Sequence, residues 1–486
     1  MNVLLITLDQ FRGDCLSAAG HEVVRTPNLD YLAANGVRFA RHYSQAAPCG
    51  PGRAALYTGM YQMNNRVVAN GTPLDGRFDN LALAGRRAGY LPTLFGYTDQ
   101  AVDPRSINNP DDPRLSTYEG VLPGFEHELD LTGDHAPLRA WLVSLGYDSL
   151  PEGVGPLLAS ERNRPAHHSV SAFLTNEAAA WITQQSQPWF AHLSYLRPHP
   201  PYSAAGNFST MYSAATKPAP IMPTADVHPF HRAALANAAA AAPQDSTSMA
   251  WKQSQYYGMI SEVDEQLGRL WNALRAADCW DNTLIIVTAD HGEQMGDHGL
   301  MGKLGYWDQS YHIPGIVRDP RRPVAHGRVV TAFTENVDIM PTLCEALDVA
   351  ISGQCDGRSL ADFLAGDEPR AWRTAAHWEF DWRDLLIARG MFDDPHERRL
   401  EQLNLAVLRT QDAAYVQFGD GSFRCFDLML DPTWRTEITD PARVLVLAQA
   451  MLIWRSQHTD RTLTGMLMQD GGIGRWPVSP AAPKAS

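Results

Sequence analysis

The sequence predicts an α/β protein: a large, mostly parallel sheet sandwiched by helices, with a smaller C-terminal antiparallel-sheet subdomain. Three observations carry this. Short apolar runs alternate with longer amphipathic segments over the first three quarters of the chain. Two of those runs end in an Asp followed by a second polar side chain, the pattern of strands that deliver ligands at their carboxyl ends. Beyond about residue 366, strand-like pieces cluster and only one helix follows. The division falls into 1–365 and 366–486.

The elements read in order as follows. Residues 3–8 are apolar and stop at Asp9, as a buried parallel strand does. Residues 28–35 follow Thr26-Pro27 and end at Gly36, a helix with its stop signal. Residues 79–88 read as a helix and 90–97 as a strand. Residues 99–168 are rich in Pro, Asp and Gly with weak periodicity, an irregular excursion of the kind that forms lids and walls. A helix over 169–185 and a strand over 189–195 restore the rhythm. The alanine run 233–242 predicts a surface helix, and 246–277 a long helix before the strand 283–288 and Asp290. Residues 336–347 form another helix. Strands are expected over 375–380, 404–409, 413–418 and 423–429, then a helix over 441–456 and a Gly-rich tail.

With 44% hydrophobic and 19% charged residues among 486, disorder is excluded. The formal net charge of −14 argues against nucleic acid or an anionic membrane as partner, so an anionic ligand needs concentrated local positive charge. Four of the 40 basic residues are lysines (217, 252, 303 and 484), which makes each lysine's place informative. Six cysteines (15, 49, 279, 344, 355 and 425) lie far apart with no C-x-x-C pair, so neither a disulfide framework nor a zinc module is expected. The opening MNVLLITLDQ reads as a strand rather than a signal peptide, and the apolar stretch 444–453 is too short to cross a bilayer. The expectation is a cytoplasmic protein.

Asp9 with Gln10, and Asp290 with His291, are strand-end pairs whose carboxylates, amide oxygen and imidazole suit one hard divalent cation; either Asp alone reads equally as a helix cap. The sharpest motif is Cys49-Gly50-Pro51-Gly52-Arg53. A C-x-P-x-R match is expected about 0.03 times from this composition. Pro51 and Gly52 shape a turn and residues 54–57 can begin a helix, so Cys49 and Arg53 flank a helix N-terminus suited to anions. A small buried Cys beside a surface Arg, or a low-pKa cysteine nucleophile, are the competing readings.

This motif resembles the signature of type I sulfatases of the alkaline phosphatase superfamily, in which the Cys is oxidised to formylglycine. The resemblance spans most of residues 1–380 and includes TPNLDYLAANGVRF, RPHPPY and TADHGEQMGDHGLMGK. Gln10 stands where many sulfatases have a second Asp, and His291 where many have Asn. That variant, with GYTDQAVDPR and GGIGRWP, looks similar to the phosphonate monoester hydrolase and arylsulfatase branch. The resemblance implies a metal held by Asp9, Gln10, Cys49 as formylglycine, Asp290 and His291, with calcium or manganese ahead of magnesium. It implies Arg53, Lys303 and His199 as catalytic groups beside Cys49, and Asn70, Tyr97 and Asp99 as substrate contacts. Asp99 departs from the branch, where Thr is expected, and a carboxylate beside an anionic ester repels it unless protonated or turned away. His228, His231 and His298 read as supporting or surface residues.

The activity implied is metal-dependent hydrolysis of sulfate monoesters, phosphonate monoesters, or both. The aldehyde hydrate attacks sulfur or phosphorus and later expels the anion without water attacking the adduct. Two alternatives remain: a phosphate mono- or diester hydrolase using unmodified Cys49, and a catalytically silent metal-binding member. The partners implied are a small anionic ester, the formylglycine-generating enzyme, and further copies of the chain in a homotetramer or homodimer; the apolar tail 463–477 either packs back on its own domain or reaches a neighbour.

Overall fold

The computed structural model describes residues 1–212, 218–383, 385 and 399–459, with the backbone alone of 467–469 and 472–475. Two sheets organise it. The strands in chain order are β1 Asn2–Leu8, β2 Val37–Tyr43, β3 Ala46–Ala47, β4 Pro92–Gly96, β5 Glu126–Asp130, β6 Phe190–Tyr195, β7 Thr283–Thr288, β8 His312–Ile313, β9 Gly315–Arg318, β10 Arg328–Glu335, β11 Ala375–Asp381, β12 Asn404–Thr410, β13 Ala413–Phe418 and β14 Phe423–Asp427.

The nine-stranded sheet runs β10-β2-β9-β7-β1-β6-β4-β5, with β8 paired to β2 beside that path. Only β8 and β9 run against the rest, so the sheet is mostly parallel. β1 is buried throughout because both faces are covered: Leu4, Ile6 and Leu8 enter one hydrophobic cluster, Val3 and Leu5 the other. β7 repeats the arrangement with Ile285 and Val287 against Leu284 and Ile286. Burying each such side chain is worth about 1.5–3 kcal/mol, which fixes the register of the central strands.

That register places the functional ends. Thr7 of β1 lies beside Ser194 of β6 and beside Thr288 of β7, and Leu94 of β4 beside His192 of β6. Four adjacent parallel strands therefore end on one edge. From them emerge Asp9-Gln10, Asp290-His291, the 196–203 segment and Tyr97–Asp99, the place where open α/β sheets bind ligands.

The smaller sheet runs β14-β13-β12-β11-β3. β11 to β14 are antiparallel, whereas β3, drawn from residues 46–47, adds in parallel along β11. β3 thus ties the residues just before Cys49 to the smaller sheet. The helix Pro441–Gln457 covers the smaller sheet through Leu447, Met451 and Trp454.

Several elements differ from the sequence reading. The 99–168 excursion contains β5 and the helices Ala136–Ser144 and Val154–Ala159. β5 escaped notice because it is an edge strand of polar sequence, EHELD, with only Leu129 buried. The alanine run is not one helix: the helix is Pro229–Ala236, and Asn237 leaves helical geometry at φ −99° and ψ 120°. Ala241 then bridges to Leu300. Helix 336–347 begins with a short tight turn over Asn336–Asp338, and the strand expected over 423–429 ends at Asp427. β2, β3, β8, β9 and β10 carried no expectation. The tail call on 463–477 lies outside the described side chains; its described backbone is a pair of short antiparallel strands, Leu467–Gln469 and Gly472–Arg475.

Gly52 is required by a close approach. A Cβ there would lie 2.5 Å from the carbonyl oxygen of Asp290 and 2.9 Å from that of Ala46, both backbone atoms that cannot swing away. Gly52→Ala should destabilise the protein by about 1–3 kcal/mol, the scale of an overpacked core, measured by chemical denaturation. Unchanged stability with normal activity would contradict this packing.

Candidate active site

Cys49 is the first residue of the helix Cys49–Thr58, which β3 delivers against the strand ends. All ten residues of this helix are buried. Arg53, one turn in, has no exposed surface and reaches the ends of four strands, β1, β4, β6 and β7. It donates to Asp9 Oδ2 at 3.1 Å, Asp290 Oδ2 at 3.0 Å, Ser194 Oγ at 2.7 Å and the Tyr97 carbonyl at 3.2 Å. Its guanidinium also stacks over the Tyr97 ring at 4.4 Å. Tyr97 OH donates to Asp9 Oδ2 at 2.6 Å.

These contacts use one oxygen of Asp9 and leave the other. Asp9 Oδ1 is buried with no hydrogen-bond partner. His291 Nε2 lies 3.9 Å from it, 3.6 Å from Asp290 Oδ2 and 3.4 Å from Cys49 Sγ. His291 Nδ1 is 3.0 Å from the Gly292 carbonyl. A carbonyl only accepts, so Nδ1 carries the proton and Nε2 presents its lone pair to the cluster. Burial and Lys303 push His291 down to about 3, which keeps the imidazole neutral. One ligand atom each from Asp9, Cys49, Asp290 and His291 lies within 4.8 Å of the others. A buried oxygen without a partner and an imidazole held in its ligating tautomer fit a divalent cation.

The carboxylates are electrostatically distinct. Burial and the Asp9 charge push Asp290 up to about 6, against Arg53 and Lys303. For Asp9 burial acts upward, yet His199, Lys303 and Arg53 hold it below the usual carboxylate range. Burial and Asp9 push the Cys49 thiol up, with Lys303 opposing.

Gln10 sits in a left-handed conformation at φ 67°. Its backbone N–H donates to Asp290 Oδ1 at 3.1 Å, and its Oε1 accepts from Lys303 Nζ at 2.9 Å. Lys303 Nζ is also 3.1 Å from Cys49 Sγ. Asn70 Oδ1 accepts from the Gly50 N–H at 2.9 Å, which holds the start of the helix. His199 is half-buried, and its Nδ1 donates to the Pro200 carbonyl at 2.7 Å, leaving Nε2 free. Burial and Lys303 push it down to about 4, with Asp9 opposing. Asp99 is buried at φ 51°, with Oδ2 3.8 Å from Arg53 Nε. Burial pushes Asp99 up to about 7, Arg53 opposing. The residues singled out by sequence thus gather around Cys49.

Sequence reasoning missed Glu293 and Tyr202. Glu293 Oε2 accepts from Gln10 Nε2 and from Tyr202 OH at 2.9 Å, while Oε1 accepts from the N–H groups of Met295 at 2.8 Å and Gly302 at 2.6 Å. It orients the Gln10 amide and ties down the loop carrying Lys303. Both residues sit inside the quoted ADHGEQ and RPHPPY segments, which was the available signal. His228, His231 and His298 are all buried, not at the surface; His228 stacks on Phe418, and the other two pack against Trp307.

The family description Sulfatase matches residues 1–349. A solved structure of the phosphonate monoester hydrolase of Agrobacterium radiobacter is similar at 43% identity and a TM-score of 0.89, covering 98% of this chain and 100% of that one. The multifunctional alkaline phosphatase superfamily protein PehA of Trinickia caryophylli is 37% identical over 95% of this chain and 96% of its own length. An arylsulfatase of Clostridium perfringens is 26% identical over 78% and 81% of the two chains.

Glu293→Ala should free the Gln10 amide to rotate and lower metal affinity about 10–100-fold, the cost of losing an outer hydrogen bond to a ligand. Calorimetric titration with Mn²⁺ or Ca²⁺ measures this, and unchanged affinity would mean that Glu293 only packs the loop.

Proposed function

The chain belongs to the sulfatase family, and from that premise we propose that it hydrolyses sulfate and phosphonate monoesters through formylglycine at position 49 and one divalent cation. The observation that carries this reading is the unpartnered Asp9 Oδ1 facing His291 Nε2, Asp290 and Cys49, with Lys303 on the same sulfur. Asp9, Gln10, Asp290, His291 and residue 49 would hold the cation, which activates the nucleophilic hydroxyl and neutralises charge on the ester. Oxygen ligands with one imidazole suit calcium or manganese, and magnesium third. Formylglycine as its hydrate supplies a nucleophile that can release the bound anion without a second attacking water.

The chain's own residues do the rest. Arg53 fixes Asp9 and Asp290 in one geometry and adds positive charge beneath residue 49. Lys303 offers its remaining N–H bonds to the ester oxygens, where charge grows as the bond to sulfur or phosphorus breaks. His199 Nε2 faces the leaving oxygen and hands it a proton; a bound anion raises this imidazole from its low resting value. Asn70 and Tyr97 hold the helix start and the Asp9 carboxylate. Maturation requires the formylglycine-generating enzyme. A homotetramer or homodimer and a cytoplasmic location fit the reading; among the described residues no helix is long and apolar enough to cross a membrane.

Peptide mass analysis of active protein should show formylglycine or its hydrate at 49. Cys49→Ala should lose turnover, and chelation should remove activity that Mn²⁺ or Ca²⁺ restores. Full activity with only free thiol at 49 would sink the formylglycine mechanism. Aryl sulfate, phosphonate monoester, phosphodiester and phosphomonoester, compared side by side, should all lose about 10²–10³ in kcat/KM on Lys303→Ala, the scale of one lost transition-state donor. Near-normal rates in that variant on every ester would place Lys303 outside the chemistry.

A further inference from the structure

Beside the site lies a cavity of about 720 Å³, within the range of small-molecule pockets. Its walls include Pro200, Tyr202, Ala239, Lys252, Met301 and Gly302. Pro200 adjoins His199 and Gly302 adjoins Lys303, so the two loops that carry the acid and the oxyanion donor form its inner side. In-line displacement puts the leaving group opposite the nucleophile, on the side of the group that protonates it. That is the side of His199, whose neighbour Pro200 lines this cavity.

The outer wall is the segment that departs from helix after Ala236. It is fastened by the Ala241–Leu300 bridge and by backbone hydrogen bonds from Ala242 N–H to the Gly299 carbonyl at 2.8 Å and from Met301 N–H to the Ala240 carbonyl at 2.8 Å. Alanine side chains end at Cβ, so this wall is apolar and leaves room. Its cation is Lys252, half-buried on the second turn of the helix Ser246–Ala276, with Nζ 5.3 Å from the centre of the Tyr202 ring. Tyr202 is itself fixed through its hydroxyl on Glu293. No carboxylate among the described residues pairs with Lys252. Of the chain's four lysines, two lie among the described residues, Lys252 and Lys303; Lys252 lines this cavity, and Lys303 follows its wall residue Gly302. In a chain of net charge −14, an ammonium left without an acidic partner beside the reacting centre has an anion to bind.

We propose that this cavity is a leaving-group subsite for an apolar, aryl-sized alcohol that carries its own anionic end, with Lys252 as the counter-charge. The proposal rests on the ester-hydrolase reading and adds the class of alcohol released. Neutral phenols enter the same space without the ion pair, and bulk at Ala239 closes it.

Phenyl and 4-carboxyphenyl esters of one acid, sulfate or methylphosphonate, test it in the intact metal-loaded enzyme. The quantity read is the ratio of kcat/KM for the carboxyphenyl ester to that for the phenyl ester. Comparing this ratio between variants cancels the intrinsic reactivity of the two phenols. Lys252→Ala should lower it about tenfold and Lys252→Glu further, while Ala239→Trp should raise KM for both aryl esters at least fivefold relative to a methyl ester. A ratio within twofold of the parent in both Lys252 variants overturns the anionic-end assignment, and an indifferent Ala239→Trp overturns the subsite. Failure of the parent enzyme to hydrolyse any of these esters would instead overturn the hydrolase reading, and the subsite with it.

Discussion

The Arg53 guanidinium, with no exposed surface, holds the carboxylates of Asp9 and Asp290 on adjacent strands and so sets the distance between them. Two buried carboxylates at that spacing repel, and an unpaired charge there would cost several kcal/mol. Arg53 offsets part of this and in doing so uses the oxygens that face it. The oxygen of Asp9 that faces the other way is left without a hydrogen-bond partner. The rest of the site follows from this arrangement: His291 turns its lone pair to the same point, and Lys303 approaches from the open side.

Such an arrangement works only if the strands cannot slide. β1 and β7 are buried on both faces by alternating Leu, Ile and Val, and a one-residue slip would exchange the two faces and move Asp9 off the edge. Gly52 adds a second lock, because the helix of Cys49 rests on the backbone of Asp290 with no space for a methyl group. The polar cluster is thus positioned by apolar packing beneath it.

The parts of this design differ in how plainly the sequence shows them. Asp9 and Asp290 were legible because each ends an apolar run, and periodicity reports buried strands well. Cys49 and Arg53 were legible through a rare motif, and Lys303 through the resemblance that this motif opened, with the scarcity of lysine in support. β5 was not, since an edge strand with one buried apolar residue, Leu129, has no apolar alternation to report. The alanine run misled because helix propensity was the only signal, and the bridge to Leu300 that opens the chain is a contact between distant residues. Glu293 and Tyr202 went unread for a different reason: they hold other side chains in place, and that role exists only once the fold brings Gln10 to them.

β3 has a consequence for timing. The two residues just before Pro48 become a strand only by pairing with β11, whose Glu379 lies opposite Ala46. A ribosome therefore makes the segment around Cys49 long before it makes the partner that seats it. In the finished protein Cys49 is 4% exposed at the base of a buried helix, beyond the reach of another enzyme. Synthesis order leaves an interval in which the thiol is accessible, and completion of the smaller sheet ends it. The C-terminal strands thus act as a clock for any chemistry performed on residue 49 by another protein.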